Sequence, residues 1–183
     1  MREKEGDNPH HSDAEMYQRS DADRTFEQSR VAGCLLGGAI GDALGAPVEF
    51  RPWSDIEELY GPEGITEPPL VDGMYRVTDD TQMTMFTAEG VIRAVRRARQ
   101  NRNCDYASVI YHAYLRWLHT QGEELPVAPE LVLDGWLLGS RDLYHRRSPG
   151  STCLSALASG EMGSMRNRIN DSKGSGGVMR VAP

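Results

Sequence analysis

The stretch Val77-Thr78-Asp79-Asp80-Thr81-Gln82-Met83-Thr84, VTDDTQMT, sets two carboxylates side by side between hydroxyls, just before an apolar helical pattern. Two chemistries suit that arrangement. Asp and Thr cap helices by accepting from free N–H groups, and negative charge is favourable at the positive end of the helix dipole. Only one residue can be the N-cap, so capping accounts for one Asp more easily than for both. Alternatively, hard divalent cations such as Mg²⁺, Mn²⁺ or Ca²⁺ take oxygen ligands, and Thr-Asp-Asp supplies carboxylates and a hydroxyl on one turn.

Two further segments carry candidate chemistry. Gly33 to Phe50, GCLLGGAIGDALGAPVEF, places Asp42 among small residues near a helix end and Glu49 after a Pro-bearing turn. Either could be a local hydrogen-bonding or surface carboxylate, or could add to the acidic pair. Asp171 to Pro183, DSKGSGGVMRVAP, holds Gly174, Ser175, Gly176 and Gly177 in a run whose N–H groups and hydroxyl suit a phosphate, or simply a turn. It is not a Walker A loop, because its Lys precedes the glycines.

The elements that must position these residues read as helices. Val31, Leu35, Leu36, Ile40, Ala43 and Leu44 fall at helix-compatible spacings, closing on Gly45 with Pro47 beyond. Gly33, Gly37, Gly38 and Gly41 each weaken such a helix by about 1 kcal/mol relative to Ala, which points to close approach by another helix or a ligand. After the acidic pair, Met85, Ala88, Ile92 and Val95 are expected on the core face of a second helix. DYASVIYHAYLRWLHT repeats Val109/Ile110, Ala113/Tyr114 and Trp117/Leu118 behind a candidate N-cap, Asp105. His112 and His119 in that segment suit surface or hydrogen-bonded positions. Further helices are expected over residues 131–143 and 153–158, the latter ending at Gly160. Convincing period-two alternation is absent, so the fold class is all-α. Residues 1–25 are polar and nearly free of aliphatics, a disordered tail by composition, and His10 and His11 are read there as solvated.

The chain has 183 residues, 39% hydrophobic and 26% charged, which is room for one core. Its net charge of −7 argues against a general nucleic-acid or anionic-membrane partner. The basic run from Arg93 to Arg102 falls at the end of the helix opened by the acidic pair, where cations complement the dipole. Cys34, Cys104 and Cys153 are far apart and form no C-x-x-C. They suit small core positions in a reducing compartment. No signal pattern or membrane-length apolar run occurs, so a cytoplasmic location is expected.

Taken in order, GGAIGDALGAPVEF, VTDDTQMT, RRSPGSTCLSALASG and KGSGGVMRVAP resemble the ADP-ribosylglycohydrolases, the family that includes the glycohydrolase reactivating dinitrogenase reductase. The resemblance covers residues 31–183 and implies an all-α orthogonal bundle around two Mg²⁺ or Mn²⁺ ions. It implies hydrolysis at the anomeric carbon of the distal ribose, releasing ADP-ribose from a modified side chain or a related small adduct. Thr78, Asp79 and Asp80 match the first metal motif, and Glu49 an acidic residue near the metals. Asp42 matches a member of the same acidic cleft. Ser175, Gly176 and Gly177 match the loop that holds the diphosphate and its ribose. On this reading the paired aspartates hold cations, with capping secondary, and the base is Glu49, Asp79 or Asp80. Bound cations orient ribose hydroxyls and lower the pKa of water, and a nearby carboxylate takes its proton.

The family pattern also implies a second acidic motif, Asp-x-Asp-Thr, beyond the glycine loop. The sequence ends at Pro183 without it, and its one Asp-x-Asp, Asp21-Ala22-Asp23, is followed by Arg24. The expectation is therefore an N-terminal portion, C-terminally truncated. It lacks the second set of metal ligands and exposes an apolar surface that favours self-association. The alternatives are a non-catalytic ADP-ribose-binding module, an inactive fragment, or an unrelated helical interaction protein whose glycines serve only packing.

Overall fold

The computed structural model describes residues 21–101 and 103–183. The expected tail lies outside the described residues as far as Ser20, and His10 and His11 with it. Helix α1 spans Asp21–Gly45 and so includes residues before Phe26. The other helices are α2 (Trp53–Tyr60), α3 (Asp79–Asn101), α4 (Tyr106–Thr120) and α5 (Ser151–Ala158). The fold is all-α, with one exception too short for alternation to reveal. Strands β1 (Leu70–Val71) and β2 (Met74–Tyr75) pair antiparallel, Leu70 opposite Tyr75. Between them Asp72 and Gly73 both take positive φ, 53° and 75°, the conformation that makes Asp-Gly a hairpin turn.

The core lies between α3, α4 and α5. Met83, Phe86, Leu115, Trp117, Leu118, Val132, Leu143, Cys153 and Leu157 form it. Asp105 is the N-cap of α4, accepting from the Ala107 N–H at 3.1 Å. Close approach of α3 to α4 depends on Gly90, where a Cβ would stand 3.0 Å from the Ile110 Cα. The α1 glycines have no such neighbour: a Cβ at Gly33, Gly37, Gly38 or Gly41 would meet nothing within 4 Å.

Three expectations need correction. First, α3 does not turn Met85 and Ile92 inward; both are exposed, and the buried face carries Asp79, Gln82, Met83, Phe86, Thr87, Glu89 and Ala94. Its polar members have internal partners, which hydrophobic periodicity cannot anticipate. Arg116 Nε donates to Glu89 Oε2 at 2.7 Å, and Gln82 Oε1 accepts from Trp117 Nε1 and Gln121 Nε2, both at 3.2 Å.

Second, residues 131–143 form no α-helix. Short 3-10 segments cover Pro129–Leu131, Trp136–Gly139 and Arg141–Tyr144. The chain opens here around the buried ion pair. The Val132 carbonyl accepts from Arg116 Nη1 at 3.2 Å, and the Leu137 N–H donates to Glu89 Oε1 at 3.3 Å. Gly135 lies against that pair, so that a Cβ would be 2.4 Å from Arg116 Nε. Arg93 closes the same loop by pairing with Asp134, so it is a structural contact and not only a solvated charge.

Third, the three cysteines are not all core residues; Cys34 lies on α1, whose apolar stripe is largely exposed in line with the apolar surface expected above. Phe26, Val31, Leu36 and Ile40 are exposed, and Ala43 is buried. Cys34 shares that exposure and Cys104 is half-buried, leaving Cys153 as the one core cysteine. Asp21-Ala22-Asp23 opens α1, roughly 28 Å from Asp42 at 1.5 Å per residue, and does not join the acidic cluster.

Candidate functional site

The C-terminal turn of α1 and the N-terminus of α3 meet at the acidic residues. Free N–H groups at a helix start need acceptors, and here three different sources supply them. Thr78, not either aspartate, is the N-cap: its Oγ1 accepts from the Asp80 N–H at 3.3 Å and its carbonyl from the Gln82 N–H at 3.3 Å. The Asp79 N–H donates to the Arg147 carbonyl at 2.9 Å. The Thr81 N–H donates across the helix pair to Asp42 Oδ2 at 3.2 Å. With these donors engaged, the α3 terminus has no first-turn N–H left over for an anion, and both Asp side chains are released from capping.

Asp79 is buried and turned toward the segment before α5, where its Oδ2 accepts from the Gly150 N–H at 3.2 Å. Burial pushes its pKa from 3.8 up to about 6; the Gly150 hydrogen bond opposes the rise, and the charges of Asp80 and Asp42 add to it. Asp80 is half-buried, and its carboxyl is also raised, first by burial, then by the neighbouring charges of Asp42 and Glu49. Glu49 is exposed in the turn that follows α1.

Asp80 and Glu49 border a cleft of about 600 Å³. One wall is α1, through Leu35, Gly38, Gly41, Asp42 and Gly45, with Glu49 just beyond. Thr78, Asp80, Thr81 and Met85 form the opposite wall, and Ser175 and Met179 close one end. Asp42, Glu49, Thr78, Asp80 and Ser175 are therefore brought together, while Asp79 stands behind the wall. Gly176 is buried against Cys153, where a Cβ would lie 2.3 Å from Sγ, and Gly177 has nothing within 4 Å of its Cβ position. Ser175–Gly177 make a single 3-10 turn in which the Val178 N–H donates to the Ser175 carbonyl at 2.8 Å.

Spacing alone did not bring out three supports of this site. Gly150 and Arg147 clamp Asp79 from within RRSPG, a motif whose residues carry no chemistry that would single them out. Arg180 stacks on the Tyr114 ring at 4.2 Å, which ties the end of the glycine loop to α4. Thr84 Oγ1 donates to the Asp80 carbonyl at 2.8 Å and also reaches the Met179 carbonyl at 3.3 Å.

The donor set matches a hard cation in type. Asp80 and Glu49 repel one another at the cleft, and a divalent ion bound there would relieve that repulsion. Among the described residues no three acidic, His or Cys side chains converge to enclose an ion. A Mg²⁺ held by one or two carboxylates and completed by water is a normal arrangement for that ion.

The chain belongs to the ADP-ribosylglycohydrolase family, whose pattern it matches over residues 23–183. It is 31% identical over 140 residues to the ADP-ribosylarginine hydrolase Tri1 of Pseudomonas putida, a match covering 70% of this chain and 34% of that protein. It is 36% identical over 70 residues to an uncharacterised protein of Archaeoglobus fulgidus, covering 37% of this chain and 23% of the relative. The matches thus take in about a third or less of each relative's length. No solved structure matches it significantly.

Proposed function

We propose that this chain carries the ribose- and cation-facing half-site of a divalent-metal-dependent hydrolase that removes ADP-ribose from a modified protein side chain. The observation that carries the reading is one cleft bordered by Thr78, Asp80, Glu49 and Ser175, in a chain of this family. Asp80, Glu49 and the Thr78 hydroxyl would hold Mg²⁺ or Mn²⁺, with Asp79 behind them. When bound, the ion polarises water and ribose hydroxyls. Glu49 and Asp80 are the accessible carboxylates that can take a proton from water, and Asp79 reaches the reaction through its neighbour. Ser175 offers a hydroxyl to a diphosphate at the cleft end, while buried Gly176 lets that turn seat against α5. Because the relative from Pseudomonas putida is a hydrolase of ADP-ribosylarginine, arginine is the first acceptor to test. A cytoplasmic location belongs to the proposal and is supported by three cysteines that stay unbridged. So does self-association through the exposed apolar side chains of α1.

The test is calorimetric titration of ADP-ribose into the chain with Mg²⁺ and again with a chelator. Release of ADP-ribose from ADP-ribosylated arginine is then followed under both conditions. Metal-dependent binding with turnover supports the hydrolase. Binding without turnover supports a binding module instead, and absence of binding by the folded chain refutes a competent half-site.

A further inference from the structure

Asp42 is surrounded by donors from a single neighbour, the first turn of α3. Its Oδ2 accepts from the Thr78 N–H at 2.8 Å, the Thr81 N–H at 3.2 Å and the Thr81 hydroxyl at 2.6 Å. Its Oδ1 accepts from the Thr78 hydroxyl at 2.7 Å. A carboxylate offers about four acceptor positions, two on each oxygen; three donors fill Oδ2, and Oδ1 keeps one position beside the Thr78 hydroxyl. A side chain held in this way serves α3 first and has at most that one position to offer the cleft it borders.

The same contacts fix what the threonines can do. Each hydroxyl has one proton, and Thr78 and Thr81 both commit theirs to Asp42. Their oxygens are left at the cleft as acceptors only, and Thr78 spends one lone pair on the Asp80 N–H. A hydroxyl that donates to a carboxylate becomes a more electron-rich ligand, as histidines do when an outer carboxylate holds their second N–H. Asp42 also anchors the C-terminal turn of α1, where the adjacent Ala43 is buried.

We infer that Asp42 is a positioning residue. It caps α3 from a neighbouring helix, ties α1 to it, and holds the Thr78 and Thr81 hydroxyl oxygens as acceptors toward the cation site. The effect on cation binding rests on the function proposed above; the tie between the helices does not.

The experiment uses the full chain with Asp42→Asn, Thr81→Val, the two combined, and Asp80→Asn for comparison. Mn²⁺ binding is followed by electron paramagnetic resonance, and melting is measured without metal. Asp42→Asn is expected to weaken Mn²⁺ binding by about 10–100-fold, whereas Asp80→Asn abolishes it. Without metal, Asp42→Asn and Thr81→Val each lower the melting temperature, and the combination lowers it less than their sum. Thr81→Ser, which keeps the hydroxyl, is expected to melt closer to the parent than Thr81→Val does, and the pair remains informative if Asp42→Asn does not fold. Unchanged Mn²⁺ affinity in Asp42→Asn overturns the inference. So does abolished binding with an unchanged metal-free melting temperature, which would make Asp42 a direct ligand. If the parent chain binds no Mn²⁺, the cation reading fails by itself. The metal-free cycle then decides, with additive losses overturning the tie and coupled losses sustaining it.

Discussion

Replacing Asp79 by Asn should stabilise the metal-free protein at neutral pH, although Asp79 is a candidate site residue. The reason is the rise of its pKa from 3.8 to about 6 on folding, caused chiefly by burial. Between those values the folded state binds a proton that the unfolded state has released, so stability falls as pH rises. The loss is nil below the unfolded pKa and complete above the folded one. At 1.36 kcal/mol per unit, the full loss is about 3 kcal/mol at pH 7.5. Asn keeps an oxygen for the Gly150 N–H but gives up the helix-dipole benefit of a charge in the first turn, about 0.3–1 kcal/mol. A net gain of about 2–3 kcal/mol remains, which for a domain of this size raises the melting temperature by roughly 5–10 °C. Thermal melts of both proteins from pH 3.5 to 8 in a chelator provide the assay. The curves should nearly meet at the acid end and separate through pH 4–6.5. A variant less stable than the parent at pH 7.5, or a constant gap across the range, would refute burial as the cause. Excess Mn²⁺ should shrink the gap, because a cation favours the ionised parent.

Other perturbations address the scaffold. Glu89→Ala leaves the buried Arg116 guanidinium with only the longer, half-exposed contact to Asp134 at 3.6 Å and should cost about 3 kcal/mol, read by urea unfolding. Glu89→Leu with Arg116→Met should cost clearly less than either single change, because it removes both charges and refills the space. Gly176→Ala drives a Cβ into the Cys153 sulfur and should weaken ADP-ribose binding at least tenfold; Cys153→Ala in the same chain should recover most of it. Gly150→Pro suits the local backbone, with φ of −65°, yet deletes the N–H that reaches Asp79. It should lower metal-free stability at pH 7.5 by about 1–2 kcal/mol, and by less in the Asp79→Asn background, where the acceptor that loses the N–H is neutral.

Much of the helical frame could be read in the sequence because it depends on local rules. The apolar stripe of α4 and its Asp105 cap follow from neighbours within a few turns, and so does the start of α3 beside Thr78-Asp79-Asp80. Of the residues in the family motifs, Asp42, Glu49, Thr78, Asp80 and Ser175 border the cleft, whereas Asp79, Gly176 and Gly177 do not. Tertiary contacts decided the rest. Gln82 and Glu89 lie inside because Trp117, Gln121 and Arg116, about 30 residues away in the chain, satisfy them. The loop over residues 131–143 is open because its backbone serves that same ion pair, at the expense of an otherwise helical pattern. The division of labour among the acids was equally hidden. Asp42, Asp79, Asp80 and Glu49 are alike as carboxylates, and only their surroundings separate them. Asp42 is held by threonine donors, Asp79 is buried against Gly150, and Asp80 and Glu49 are left at the cleft. A sequence specifies which groups can bond, whereas the competition among distant partners for those groups is resolved only when the chain is packed.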